Sequence, residues 1–352
     1  MRNPEQVSKE VYYQLADLFE ISAIYYHDGR IILKARPYLA REEALGIMNR
    51  RLKQSGFEGA VKEDGSGLLI GVREITTKKW PYLNMVLFAA TLVTMFFAPA
   101  FFEFNLNFLH QPGIIMERVQ FTVALMLILL FHEFGHYLMG RRRGVLMSLP
   151  YFIPAPNIVG TFGAVIKSRS PFTNRRDLIE VGAAGPIAGF VVAAIVLAFG
   201  LWHGKIIPSD MSHGMRLGDS LLIKILAYLV GGNMPAGYEY ALSPTIFAGW
   251  VGLLVTMLNL LPLGQLDGGH ILYGMAGKYQ GVVAKIFLVF MVILGLKWPG
   301  WWIFGAFVLI FGLRHPPTFN DALPLSRTAR IMGYASLVIF IISFIPVPFM
   351  VS

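Results

Sequence analysis

The pattern of hydrophobic and polar positions along the chain changes once, near residue 78. Before that point, short apolar segments alternate with polar turns. Apolar residues recur at helical spacing in two segments, Val7, Val11, Leu15 and Leu18, and then Ala44, Ile47, Met48 and Leu52. Each segment is followed by two strand-like runs around a turn, first ISAIYY and IILKA around His27-Asp28-Gly29, then FEGAV and LLIGV around Asp64-Gly65-Ser66-Gly67. The pattern predicts a small soluble α+β domain over residues 1–78, in the order helix, strand, strand, helix, strand, strand.

From residue 79 onward, long apolar runs alternate with polar loops. Their length and hydropathy predict about seven transmembrane helices, at roughly 83–102, 119–140, 181–201, 243–263, 281–297, 300–313 and 331–349. The run SLLIKILAYLV is too short to cross a bilayer, and we expect it to lie in the interface or to re-enter the membrane. The predicted fold class is therefore an α-helical polytopic membrane protein, with residues 79–352 embedded in the bilayer and a small soluble α+β N-terminal domain.

Composition agrees with this division. Of the 352 residues, 55% are hydrophobic and 14% are charged, and the mean hydropathy is +0.57, which is typical of an integral membrane protein. The net charge of +9 comes largely from loops and suits anionic lipid headgroups more simply than nucleic acid. Basic residues flank the first three predicted helices at Lys78, Lys79, Arg141–Arg143, Arg175 and Arg176, and this distribution predicts a cytoplasmic N-terminal domain. The polar start, MRNPEQVSKE, predicts no signal peptide.

The second predicted helix places three ionisable residues, His132, Glu133 and His136, on its last turns. Such residues are costly in hydrocarbon and indicate a functional site, so a pair of packed core histidines is the less favoured interpretation. Positions i and i+4 lie on one helix face, so both histidines can bind one ion while Glu133 accepts a proton from water. This His-Glu-x-x-His spacing is that of zinc peptidases. The chain contains no cysteine, so any metal must use His, Asp or Glu.

Asp267 lies at about the cytoplasmic end of the fourth predicted helix, which runs parallel to the second, so it reaches a depth similar to that of His136. Alone, Asp267 fits a helix N-cap before Gly268 as well as it fits a third zinc ligand. Beside the histidines, the ligand interpretation is favoured. Asn259 precedes a break in the helix, and its amide either donates to an oxyanion or satisfies a neighbouring helix. We expect His270 to lie near the metal or in the interface rather than to ligate.

Two further segments frame these residues. The segment PYFIPAPNIVGTFGAVIKSRSPF is rich in proline, glycine and β-branched residues, which predicts a short extended hairpin returning to the bilayer. An open strand edge there is able to pair with a substrate in extended form. In the following EVGAAGPIAGF, Gly182, Gly185 and Gly189 allow close helix approach, and we expect their role to be structural.

Four of these pieces, HEFGH, GTFGAV, AAGPIAG and NLLPLGQLDGG, together resemble the site-2 proteases, which are intramembrane zinc metallopeptidases of family M50. The GTFGAV and LGQLDGG forms are most similar to the plastid and cyanobacterial branch, which lacks a PDZ domain. The resemblance implies cleavage of transmembrane protein substrates within the bilayer or at its edge. It also implies one zinc ion per chain with His132, His136 and Asp267 as ligands, Glu133 as catalytic base and Asn259 as an oxyanion helper.

Two other classes of function compete with this one. An intramembrane metal or ion transporter also uses buried His and Asp, but it does not need Glu133 beside the histidine pair. A catalytically silent scaffold of the same fold would lack one of the four polar residues of the site. All four are present here, namely His132, Glu133, His136 and Asp267. His270 departs from the family pattern, since many members carry Arg at that position. Residues 1–78 fall outside the resemblance and carry no chemical motif, so we expect them to bind a regulatory partner.

Overall fold

The computed structural model describes most of the chain. The described residues are 4–27, 30–65, 67–74, 81–103, 107–145, 147–168, 172, 174–209, 215–318, 321 and 323–351. Several positions that the sequence analysis singled out lie outside them, namely Asp28, Gly29, Ser66, Lys78 and Lys79. The predicted turns at those positions and the basic linker before the first apolar helix therefore stay predictions.

Helices account for most of the described structure, and short strands join them. The helices are α1 Pro4–Leu15, α2 Arg41–Gln54, α3 Tyr82–Glu103, α4 Pro112–Arg142, α5 Arg175–Trp202, α6 Leu221–Gly231, α7 Pro244–Asn259, α8 Asp267–Ala276, α9 Gln280–Gly295, α10 Gly300–Phe311 and α11 Arg327–Ser343. The strands are β1 Phe19–His27, β2 Arg30–Pro37, β3 Phe57–Asp64, β4 Gly67–Glu74, β5 Tyr151–Pro154, β6 Thr161–Val165, β7 Ile206–Pro208, β8 Met215–Leu217, β9 Tyr238–Tyr240 and β10 Phe349–Val351. Short 3₁₀ turns lie at Asn107–His110 and Gly277–Tyr279.

The N-terminal segment has the predicted order of elements, from α1 to β4. Its strands form one antiparallel sheet in the order β1-β2-β4-β3. Side chains alternate between the two faces of a strand, so every second residue of β2 and β4 points to the same side. That face packs against α1 and α2 in one core, which includes Leu15, Leu33, Met48, Leu52 and Ile70. The prediction of a small α+β unit before the apolar part of the chain is confirmed.

The prediction of seven membrane spans is confirmed only in part. Among the described residues, three helical stretches are long and apolar enough to cross a membrane, namely Pro112–Arg142, Arg175–Trp202 and Asp267–Gly295. Shorter apolar helices lie at Leu221–Gly231, Pro244–Asn259 and Gly300–Ile310, and a further apolar stretch, Tyr82–Ala98, lies within α3. For one predicted helix, hydropathy adds up across a helix break. The predicted helix at 243–263 is α7, which ends at Asn259 after 16 residues. At 1.5 Å per residue such a helix is about 24 Å long, short of a hydrocarbon core of about 30 Å.

Helix α5 occupies the centre of the apolar part. It packs against α4, α6, α7, α8 and α11. Small residues allow these close contacts: a Cβ atom added at Gly249 of α7 would lie 2.8 Å from the backbone of Leu197 on α5. The run SLLIKILAYLV forms α6, an 11-residue helix whose N-cap, Ser220, accepts a hydrogen bond from the amide of Ile223. Its length agrees with the prediction that it is too short to span.

The predicted extended hairpin is present as β5 and β6, which pair antiparallel through Phe152↔Ala164 and Pro154↔Thr161. Gly160, at the turn, has φ +81° and lies directly on α3. The hydroxyl of Thr94 on α3 donates to the Gly160 carbonyl at 2.7 Å. Helix α3 therefore fixes the position of the hairpin.

Replacing Gly160 with alanine should loosen the hairpin from α3. A left-handed backbone costs a non-glycine residue about 1–2 kcal/mol, and the added Cβ would also lie 2.3 Å from the Cα of Met95. Gly163→Ala is a matched control, because Gly163 has φ +89° and no heavy atom within 4 Å of its added Cβ. Thermal unfolding of the full chain in detergent should show a clearly lower midpoint for Gly160→Ala. Equal shifts for the two variants would contradict the importance of the α3 contact.

Candidate metal centre

Helix α4 carries His132, Glu133 and His136 about two turns before its end at Arg142. All three side chains are buried, with exposed fractions of 2%, 5% and 8%. The two imidazoles lie on the same side of the helix, with ring centroids 5.1 Å apart. Glu133 borders the same cavity as both histidines. The spacing of these three residues along α4 is thus sufficient to place two nitrogen donors and a carboxylate beside one cavity.

The first residue of α8, Asp267, completes the group. Its Oδ2 atom lies 3.3 Å from His132 Nε2 and 3.2 Å from His136 Nε2. One ligand atom from each residue falls within 4.8 Å of the others, close enough for the three to hold a single metal ion. Within the described chain the N-cap of α8 is Leu266, with no side-chain capping bond. Asp267 is thus the first helical residue and not the N-cap, so the alternative that it caps a helix starting at Gly268 is wrong. Its carboxylate faces the histidines instead.

The donors fit zinc. The Nδ1–H of His136 donates to the Val181 carbonyl at 2.8 Å, since a carbonyl can only accept. This bond fixes the tautomer and leaves Nε2 free to bind a metal, which is the usual arrangement of metal-binding histidines. Two imidazoles and a carboxylate, with a fourth position open to water, are the donor set of catalytic zinc sites.

Two glycines of α5 seat the histidines, a role that the sequence analysis missed. A Cβ atom at Gly185 would lie 2.0 Å from His136 Nε2, and one at Gly189 would lie 2.8 Å from His132 Nδ1. The glycines are four residues apart, as the histidines are, so the two pairs face each other where α4 and α5 pack. That shared spacing in AAGPIAG and HEFGH is the signal that was available in the sequence.

Asn259, the last residue of α7, also reaches the cavity. Its side-chain amide nitrogen lies 3.2 Å from His132 Nε2. The helix ends there, as the break around Pro262 and Gly264 predicted. His270 lines the cavity one turn after Asp267, and its Nδ1 lies 2.6 Å from Nε2 of His315, a residue that the sequence analysis did not identify.

The cavity has a volume of about 720 Å³. Residues 164–168, from the end of β6 onward, form one wall, and residues 315–318, between α10 and α11, form another. Both walls are non-helical, which at membrane depth requires either protein packing or a cavity to satisfy the backbone. The space is large enough for several residues of an extended peptide between these walls.

An ion pair with a buried carboxylate lies next to the centre. Glu180, 1% exposed, precedes Val181 on α5 and pairs with Arg143 at the end of α4. The hydroxyl of Ser326, the N-cap of α11, donates to the other carboxylate oxygen at 3.2 Å. Glu180 thus holds three helix ends together directly beside the carbonyl that orients His136.

The sequence of this chain matches a known protein family and several known proteins. Residues 120–295 match the family model described as Peptidase family M50. The chain is 35% identical over 153 residues to the probable zinc metalloprotease EGY2, chloroplastic, of Oryza sativa subsp. indica, covering 42% of this chain and 27% of that protein. It is 32% identical over 237 residues to the probable zinc metalloprotease EGY1, chloroplastic, of Arabidopsis thaliana, covering 62% of this chain and 41% of that protein. No solved structure matches.

These matches confirm the resemblance described from the motifs, including the plastid branch. The names of the relatives agree with the predicted zinc metalloprotease class and with zinc as the metal. The chain spans well under half the length of these relatives, at 27% and 41%.

Gly185→Ala should displace His136, because the new methyl group would overlap its imidazole. We expect zinc affinity, measured by competition with a chelator, to fall by at least about tenfold, as for lost supporting contacts in other metal sites. Gly113→Ala is the control. Gly113 lies in the first turn of α4, the helix that carries His136, and an added Cβ there has no neighbour within 4 Å. Unchanged zinc binding in Gly185→Ala would mean that α5 does not seat this histidine.

Proposed function

The chain belongs to peptidase family M50, and on that premise we propose that it is an intramembrane zinc metalloendopeptidase that hydrolyses peptide bonds of transmembrane proteins. The observation that carries the proposal is the convergence of His132, His136 and Asp267 within 4.8 Å, beside Glu133, in a buried cavity. Ionisable groups at that depth mark functional sites. The relatives' names, probable zinc metalloproteases, support the same class.

His132, His136 and Asp267 would hold one zinc ion. Bound zinc makes a water molecule more acidic and polarises a carbonyl group. Glu133, next to His132 on α4, accepts the proton that the attacking water loses and donates it to the amine as the C–N bond breaks. Glu133 is 5% exposed and borders the cavity, so its carboxylate is close to the place where the attacking water would lie.

Asn259 is assigned an auxiliary role. Its amide lies against His132 and borders the cavity. We propose that it donates a hydrogen bond to the oxygen that gains negative charge during attack, as oxyanion-hole amides do. The contact with His132 supports the alternative role, orientation of that imidazole, equally well. Separating the two requires kinetics, because a lost oxyanion donor lowers kcat without loss of metal.

The substrate is proposed to lie extended along β6. Strand β6 pairs with β5, and residues 164–168 border the cavity. A helical peptide bond is shielded by its own hydrogen bonds, so a transmembrane substrate must unwind before Glu133 and the metal can reach it. Pairing with a strand would hold the unwound segment by backbone hydrogen bonds and would tolerate varied side chains.

Topology and domain roles are part of the proposal. The helices of residues 79–352 and the chloroplastic relatives support a membrane protein. We propose that residues 1–78 form a cytoplasmic regulatory module that binds a partner, and that α4 ends on the cytoplasmic side, where Arg141, Arg142 and Arg143 follow the histidines. A metal or ion transporter remains the second candidate class, but it gives no role to Glu133. A catalytically silent scaffold gives no role to the complete set of His132, Glu133, His136 and Asp267.

Glu133→Gln should abolish cleavage while zinc stays bound. The amide keeps the shape of the carboxylate but cannot take a proton, and general acid–base catalysis typically contributes about 10²–10⁴-fold. Cleavage of a generic transmembrane substrate and zinc analysis of the same purified sample provide the measurement. His132→Ala is the contrasting variant, which should lose zinc and activity together. Near-normal turnover in Glu133→Gln, or full zinc in His132→Ala, would refute the assignment of that residue.

Residues that weaken a helix should speed cleavage when placed near the cut in the substrate. Gly or Pro lowers the cost of unwinding by roughly 1–3 kcal/mol per residue, and leucine does not. Turnover of matched substrates with Gly-Pro or Leu-Leu at the cut tests this. Mass spectrometry of the products should locate the cut toward the cytoplasmic end of the substrate helix. A cut at the opposite face would refute the proposed orientation.

A further inference from the structure

The segment between α10 and α11 forms a strap along α8. We define the strap as Gly312–Thr318, continued by Asp321. Three hydrogen bonds join it to α8 or to the turn before α8: Gly264 N–H to Leu313 O at 3.2 Å, His270 to His315 at 2.6 Å, and Tyr273 O–H to Asp321 Oδ2 at 2.5 Å. The strap therefore follows the helix that begins with Asp267.

The contacts continue the stripe on which Asp267 lies. Asp267, His270 and Tyr273 are successive residues three apart, and such residues are neighbours on a helix surface. Asp267 faces the histidines of α4, and His270 and Tyr273 hold the strap. The imidazole of His315 fits between the other two rings, at right angles to His270 and stacked on Tyr273 with centroids 4.8 Å apart.

Hydrogen bonding fixes the proton positions in the histidine pair. His315 Nδ1 lies 2.5 Å from the Pro316 carbonyl, which can only accept, so Nδ1 carries the proton. Its Nε2 is then the acceptor for the Nδ1–H of His270. Burial lowers the pKa of His315, which favours this neutral form near pH 7. The result is a directed chain from His270 to His315 to the Pro316 carbonyl.

We propose that His315 is a positioning residue for Asp267: acting through His270, it fixes the rotation of α8 and so keeps the carboxylate on the metal. The inference rests on the proposed function of the centre. Within the described chain no side chain caps the first turn of α8, so its rotation is set by the packing of Gly268 and Gly269 against the preceding turn together with contacts farther along the helix. The histidine pair lies one turn beyond Asp267 on the same helix. A small rotation of α8 at the histidine pair would therefore also move the carboxylate of Asp267.

A pair of His315 variants separates hydrogen bonding from packing. His315→Gln keeps an amide oxygen that can accept from His270, whereas His315→Met has nearly the same volume and only a weak acceptor. We expect His315→Met to weaken zinc binding about 10–100-fold, as loss of supporting hydrogen bonds does in other metal sites. His315→Gln should restore most of that affinity. His203→Ala is the control, because this exposed histidine of the α5 C-terminus also bonds a carbonyl, that of Phe199.

The measurements use the full-length protein in detergent: zinc affinity by chelator competition, the absorption spectrum of the cobalt-substituted protein, and kcat and KM on a transmembrane substrate. His315→Met should change the cobalt spectrum and lower kcat, with KM little affected. His270→Met should behave alike, and the double variant should be no worse than either single variant, since the two residues act as one unit. If His315→Met does not fold, His270→Met provides the same test.

The outcomes distinguish the inference from the proposed function. If the unaltered protein binds no zinc at the histidines of α4, the proposed function fails and the inference fails with it. If the unaltered protein binds zinc and cleaves, but the folded Met variants keep its zinc affinity and cobalt spectrum, the inference alone is overturned. Equal loss in the Gln and Met variants would also overturn it, because packing rather than hydrogen bonding would then be responsible.

Discussion

The structure depends on one constraint, which is that buried ionisable groups must find partners. His132, Glu133 and His136 lie on an apolar helix at exposed fractions of at most 8%. An isolated charge in such surroundings costs several kcal/mol even after relaxation, whereas paired groups or metal ligands are tolerated. Asp267 meets both histidines within 3.3 Å. The rest of the apolar part of the chain can be understood as the framework that brings α8 to α4.

That framework explains why regular structure ends near the centre. Helix α7 ends at Asn259, and α8 begins at Asp267, so an irregular turn lies beside the cavity. The hairpin of β5 and β6 and the strap are likewise non-helical. Backbone of this kind needs hydrogen-bond partners away from lipid, and the cavity with its bordering segments provides them. The break in the helices and the proposed position of an extended substrate are thus at the same place in the fold.

Sequence reasoning predicted the parts that depend on local spacing. The i, i+4 histidines with Glu133 could be read from one helical turn, and the α-β-β-α-β-β order from hydrophobic periodicity. Asp267 was reached by predicting two parallel helices with ends at one depth, although in the structure it begins α8 after the turn that follows α7. His315 was not, because it lies in the loop after α10, where two prolines follow it directly, and it is brought to His270 only by tertiary folding. The seven predicted spans are confirmed only in part, because hydropathy does not register the helix end at Asn259 within the span predicted at 243–263.

Helix α5 shows why the glycine segment has more than a structural role. Its glycines seat both histidines, the Val181 carbonyl fixes the tautomer of His136, and Glu180 ties the ends of α4 and α11. Pro186 lies within the helix and has no N–H, so it cannot bond the carbonyl four residues earlier, that of Gly182. Gly182 borders the cavity. One helix therefore brings backbone acceptors to the centre while its small residues leave room for the imidazoles. A larger side chain at the glycine positions would displace the two candidate ligand imidazoles, although the histidines themselves would be unchanged.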